Sequence, residues 1–95
     1  MPAASGHSVS RRVKIINGRG LHARAAAKFV KLAGTFDADV VVARNETEVP
    51  GSSIMGLMML GAHPGSTIEI CATGPQAGEA VTALRELVDN RFGEE

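Results

Sequence analysis

Val13-Lys14-Ile15-Ile16-Asn17-Gly18-Arg19-Gly20-Leu21-His22-Ala23-Arg24-Ala25-Ala26-Ala27-Lys28-Phe29-Val30 changes its hydrophobic period across a glycine-bearing break. Before the break, Val13 and Ile15 alternate with Arg12 and Lys14, which predicts a half-buried strand over Val9 to Ile16. Asn17, Gly18, Arg19 and Gly20 end it. After the break, Ala26, Phe29, Val30 and Ala33 recur at offsets of three and four, with Arg24, Lys28 and Lys31 on the opposite stripe. That is an amphipathic helix from His22 to Ala33, stopped at Gly34. A strand running through a glycine turn into a helix sets the frame for the rest.

Downstream, Asp39 to Arg44 carries three consecutive valines and reads as a strand, Asn45 turns the chain, and Glu46 to Val49 returns as a hairpin partner closed by Pro50 and Gly51. Ser53 to Leu60 begins with a capping-type serine and stops at Gly61, which predicts a short helix. Thr67 to Ala72 alternates again, with Ile68, Ile70 and Ala72 on one face. Gly74 and Pro75 open a last helix through Ala77, Ala80, Val81, Leu84, Leu87, Val88 and Arg91 or Phe92. The order is βαββαβα. Half-buried strands and one-sided helices predict an α+β fold of two layers: a four-stranded antiparallel sheet with three helices on one face and water on the other.

The 95 residues leave room for one domain. Residues 1–8 read as a flexible lead, 9–92 as the folded domain and 93–95 as a tail. Cys71 is the only cysteine and no Cys/His cluster has zinc spacing, so neither an internal disulfide nor a metal site is expected. No apolar run approaches the roughly 18 to 20 residues of a membrane span, and the N-terminus lacks the features of a signal peptide, so the expected location is cytoplasmic. Tyr and Trp are absent, which argues against a base-stacking surface. The balanced total charge conceals an asymmetry. Seven of the ten basic residues precede Asp37, the first acid, and such a stretch attracts acidic partners or anionic ligands.

Gly18 to Ala23 formally matches the dinucleotide fingerprint G-x-G-x-x-A, but Asp39 begins a strand where the fingerprint's acid should end one, and the chain is too short for a dinucleotide fold. What remains is a glycine turn feeding a helix start, where free amides and the positive dipole end favour an anion. His22 stands there. The helix end and Arg24 both oppose a charged ring, which predicts a neutral imidazole with a nucleophilic nitrogen, and the same groups stabilise a phosphoryl group placed on it. From the residues alone, an ordinary surface histidine, a reversible anion- or nucleotide-binding module and an RNA-binding domain remain rivals.

Gly20-Leu21-His22-Ala23-Arg24-Ala25-Ala26-Ala27 resembles the G-[LI]-H-x-R-P-A motif of the HPr family, the histidine phosphocarriers of the phosphoenolpyruvate:sugar phosphotransferase system. Ser53-Ile54-Met55-Gly56-Leu57-Met58-Met59-Leu60-Gly61 is similar to the family's regulatory serine block, and Gly65-Ser66-Thr67-Ile68-Glu69-Ile70 with Ala72-Thr73-Gly74 to its last strand. The resemblance spans residues 9 to about 92 and implies an open-faced β-sandwich. It implies that Nδ1 of His22 receives a phosphoryl group from Enzyme I and passes it to an EIIA-type domain, with Arg24 holding phosphate oxygens. Such a chain is a carrier without cofactor or metal, and the catalysis belongs to its partners. Ala25 departs from the motif by replacing its proline, which frees one backbone N–H and removes a rigid φ.

The resemblance further implies that Ser53 is the target of HPr kinase/phosphorylase, although Ser52 adjoins it. It also makes Ile54, Met55 and Met58 an apolar docking patch, with Leu57 and Leu60 turned to the core and Arg24, Lys28 and Lys31 as a basic rim. The expected protein is a monomer with no nucleic-acid or membrane partner. His63, before Pro64, reads as a solvated turn residue.

Overall fold

The computed structural model describes residues 8–94. The expected lead therefore lies almost wholly outside the described residues, and Ser8 already belongs to the first strand. The elements follow the predicted order: β1 Ser8–Lys14, α1 Ala23–Ala33, β2 Asp39–Arg44, β3 Thr47–Pro50, α2 Ile54–Met59, β4 Thr67–Thr73 and α3 Ala77–Asp89, with a 3-10 turn at Arg91–Gly93.

The sheet order is β1-β4-β2-β3, with every neighbouring pair antiparallel. The register explains the two-faced composition. Val13 lies opposite Ile68, Val9 and Val40 both opposite Ala72, and Val42 between Ile70 and Val49, so one face gathers the apolar side chains. The other face pairs Arg12 with Glu69, and Ser10 and Val41 with Cys71. The helices cover the apolar face: α3 lies over β1 and β4, and α1 packs against α2 and α3. Phe29, Ile15, Leu57, Ile68, Ile70, Leu84 and Val42 are fully buried between the layers. The two-layer architecture follows from this strand alternation and from helices that each have one apolar stripe.

Several boundaries move, each for a local reason. Ladder pairing of β1 stops at Lys14, but Ile15 still donates to Ser66 O at 2.8 Å and accepts from Gly65 N at 2.7 Å, so the chain remains tied as it enters the turn. Between β2 and β3, Asn45 takes a left-handed backbone with φ 58°, which asparagine tolerates better than most residues, and Glu46 completes a two-residue connection to Thr47. Helix α3 begins at Ala77, two residues beyond Pro75, because Gln76 keeps a non-helical backbone (φ −110°, ψ 29°) as its N-cap; the Gln76 side-chain oxygen accepts from the Asp37 backbone N–H at 2.7 Å.

The last helix does not run on to Phe92. It ends at Asp89, and Arg91, Phe92 and Gly93 take φ values of 59°, 54° and 74°. That reversal carries the Phe92 ring into the core, where it is fully buried. Gly93 and Glu94, a tail in the sequence reading, fold back toward the start of α1.

Candidate functional site

The turn between β1 and α1 is built around Gly20. Its φ is +67°, and a Cβ added there would lie 2.7 Å from Ala62 O, so both backbone conformation and space require glycine. Gly18 has open space around it, so only one of the two glycines in the fingerprint-like stretch is structurally compelled. Leu21, buried, donates its N–H to Ala62 O at 2.9 Å, and the chain reaches His22 in extended conformation as the residue capping α1.

Bonding within α1 begins where Ala26 N–H donates to His22 O at 2.8 Å. The amides of Ala23, Arg24 and Ala25 precede it and have no acceptor among the described residues. These are the free donors that make a helix start receptive to an anion. Ala25, at the position of the motif's proline, is fully buried, so its methyl group belongs to the core.

The His22 ring does not cap its own helix. Its Nε2 lies 2.5 Å from Oε2 of Glu94, which leaves Nδ1 without a partner among the described residues. Oε1 of Glu94 accepts from Asn17 Nδ2 at 3.0 Å, and the same amide group donates to Gly20 O at 2.7 Å. Lys28 Nζ donates to Phe92 O at 2.7 Å and fastens the returning chain to α1. Glu94 stays below the ordinary carboxylate range chiefly because Asn17 donates to it; the His22 contact and the His22 and Lys28 charges add to this, against the opposing effect of burial. Gly18, Arg19, Arg24, Lys28, Gly93 and Glu94 line a cleft of about 410 Å³.

The structure thus brings Arg24 and Lys28 together beside the helix start that His22 caps. Lys28 serves the C-terminal turn as well as the basic stripe, whereas Lys31 lies in the last turn of α1. Ser53 caps α2, its Oγ accepting from Gly56 N–H at 2.9 Å, and the neighbouring Ser52 is exposed. Ile54, Met55 and Met58 are 42%, 70% and 43% exposed while Leu57 and Leu60 are buried, the division that the resemblance implies. Met59, 76% exposed, extends the apolar surface and was not anticipated. Asn17, Phe92 and Glu94 also escaped sequence reasoning. Glu94 is separated from His22 by 72 positions, and no local spacing rule links them.

A small open-faced sandwich that presents an imidazole at a helix start, with free amides and an arginine nearby, has the form of an anion-receptive scaffold. Comparison with known proteins gives the class. Residues 9–90 match the family described as PTS HPr component phosphorylation site. The chain is 50% identical over 86 residues to phosphocarrier protein HPr of Cupriavidus necator, covering 90% of this chain and 97% of that one. It is 41% identical over 86 residues to phosphocarrier protein NPr of Shewanella violacea, covering 90% and 94%. Among solved structures, HPr-C-His from Thermoanaerobacter tengcongensis superposes with a TM-score of 0.87 at 39% identity, covering 92% of this chain and 98% of that one. The chain belongs to the HPr family of the phosphotransferase system, and is a carrier rather than an enzyme. Among the described residues, no helix is long and apolar enough to cross a membrane.

Proposed function

We propose that His22 is the phosphoryl acceptor, taking the group on Nδ1 from phosphorylated Enzyme I and delivering it to an EIIA-type domain in a sugar or nitrogen-type relay. The observation that carries this reading is the free Nδ1 at the head of a helix whose first amides are also free. Phosphoryl transfer runs through a loose transition state and depends on alignment and charge stabilisation. The amides of Ala23, Arg24 and Ala25 and the exposed Arg24 guanidinium supply the second, and two docked protein surfaces supply the first.

Ile54, Met55 and Met58 form the apolar centre of the docking surface, and Lys28 and Lys31 its basic edge. An apolar centre with a charged rim suits fast, weak and repeated association. Ser53 is the regulatory site, modified by HPr kinase/phosphorylase. Its phosphate adds about 1.5 to 2 negative charges beside the docking patch and repels an acidic partner. The protein works in the cytoplasm as a monomer, with no bound cofactor and no nucleic-acid or membrane partner.

Incubation with Enzyme I and phosphoenolpyruvate tests the assignment, followed by mapping of acid-labile phosphate. Label on His22 that passes to an EIIA domain, and that is absent from His22→Ala, is the expected result. Absence of label on His22 in the unaltered protein refutes it. Peptide mapping after kinase treatment tests the regulatory assignment, and phosphate on Ser52 alone overturns it.

A further inference from the structure

The C-terminal turn holds a backbone that packing must enforce. Arg91 and Phe92 both sit in the left-handed region, which costs roughly 1 kcal/mol or more for each residue with a side chain. The buried Phe92 ring and the bond from Lys28 Nζ to Phe92 O hold the turn closed. Its product is a placed carboxylate. Oε1 of Glu94 is fixed by Asn17, itself fully buried and tied to Gly20 O, while Oε2 meets Nε2 of His22. The two side chains are only 21% and 16% exposed. Glu94 is the one acid among the residues lining the cleft, where Arg19, Arg24 and Lys28 supply the opposite charge. An ionised carboxylate can only accept, so the hydrogen of this contact sits on Nε2.

We propose that Glu94 is a positioning residue for phosphoryl transfer, holding the ring proton on Nε2 and presenting Nδ1 as the nucleophilic lone pair. The inference rests on the assignment of His22 as the acceptor. In the loading step, the Nδ1 lone pair forms the new nitrogen–phosphorus bond, the donor's bond to phosphorus breaks, and its electron pair returns to the donor. No proton leaves. The ring, still protonated at Nε2, becomes cationic as phosphorus arrives, and the Glu94 carboxylate balances that charge from the far side. On delivery, the nitrogen–phosphorus bond breaks and its pair returns to Nδ1, restoring the neutral ring. Orientation by a carboxylate on the remote ring nitrogen is a general means of selecting one imidazole tautomer.

The test uses the full chain with ¹⁵N-labelled histidine. Ring ¹⁵N shifts recorded with the imidazole neutral are expected to show the Nε2–H tautomer dominant for His22. Glu94→Gln is expected to move the population toward Nδ1–H and to slow loading by Enzyme I about tenfold, with circular dichroism unchanged. Glu94→Ala should reproduce both effects. A dominant Nδ1–H tautomer in the unaltered protein, an unchanged tautomer ratio in the variants, or a loading rate that holds or rises overturns the proposal. The tautomer measurement needs no phosphoryl donor. Failure of unaltered His22 to load would therefore refute the acceptor assignment while the tautomer result stood separately.

Discussion

Asn17 and Glu94 lie 77 positions apart, and a single 3.0 Å hydrogen bond from the buried Asn17 amide to Oε1 of Glu94 joins the turn before α1 to the segment after α3. The second N–H of that amide goes to Gly20 O, so one side chain braces the glycine turn and the returning chain together. Asn17→Ala removes both donors and strands a buried carbonyl. A loss of about 1 to 3 kcal/mol is expected, measured as a lower urea midpoint at unchanged m-value.

Acid should loosen the same link. The Glu94 carboxyl is held below its ordinary 4.5, first by the Asn17 hydrogen bond and then by His22 and Lys28. A depressed carboxylate contributes stability above its unfolded-state pKa, and that contribution is lost as pH falls through the folded value. The stability difference between the unaltered protein and Glu94→Gln should therefore be full above about pH 4.5 and vanish in stronger acid. Denaturation curves across this range check it. A difference that persists or grows in strong acid contradicts the linkage.

Gly20→Ala places a methyl group 2.7 Å from Ala62 O at a φ of +67°. Backbone strain and overpacking together predict a loss of about 2 to 4 kcal/mol. Gly18→Ala, with open space around it, should cost far less. A urea titration of the pair tests whether one glycine or both are needed.

Cys71 lies on the open sheet face between Ser10 and Val41. Burial, then the charges of Glu69 and Glu48, push its thiol up, against a lowering hydrogen bond with Ser10. Less thiolate at neutral pH means slow reaction. Labelling by a disulfide reagent should run slower than for a free cysteine peptide at the same pH, and a faster rate would contradict this environment.

Met58→Glu puts a charge in the exposed apolar surface of α2 while Leu57 and Leu60 keep the core. The expected outcome is at least a tenfold loss of phosphoryl exchange with Enzyme I, with the circular dichroism spectrum retained. Unchanged transfer would place the docking surface elsewhere.

Strand and helix periods, the glycine break and the serine before α2 are short-range features, and the physics behind them acts over a few residues. They were enough for the element order, for the inward faces of β1 and β4, and for His22 at the head of α1. The outward side of α2 came from the family resemblance and not from spacing, which by itself favours a core role for a methionine stripe; Ile54, Met55 and Met58 are exposed and Leu57 is buried.

What happens after Asp89 obeyed no local rule. A helical reading carries Phe92 onward, but the ring is buried on a left-handed reversal packed against α1 and α3, and only tertiary packing decides that. The reversal then brings Glu94 to the ring of His22. Amino-acid order alone therefore determined the layers and the place of His22 at the head of α1. Tertiary packing decided which nitrogen of that ring faces a carboxylate, because a hydrogen bond between distant positions exists only once the core has drawn His22 and Glu94 together.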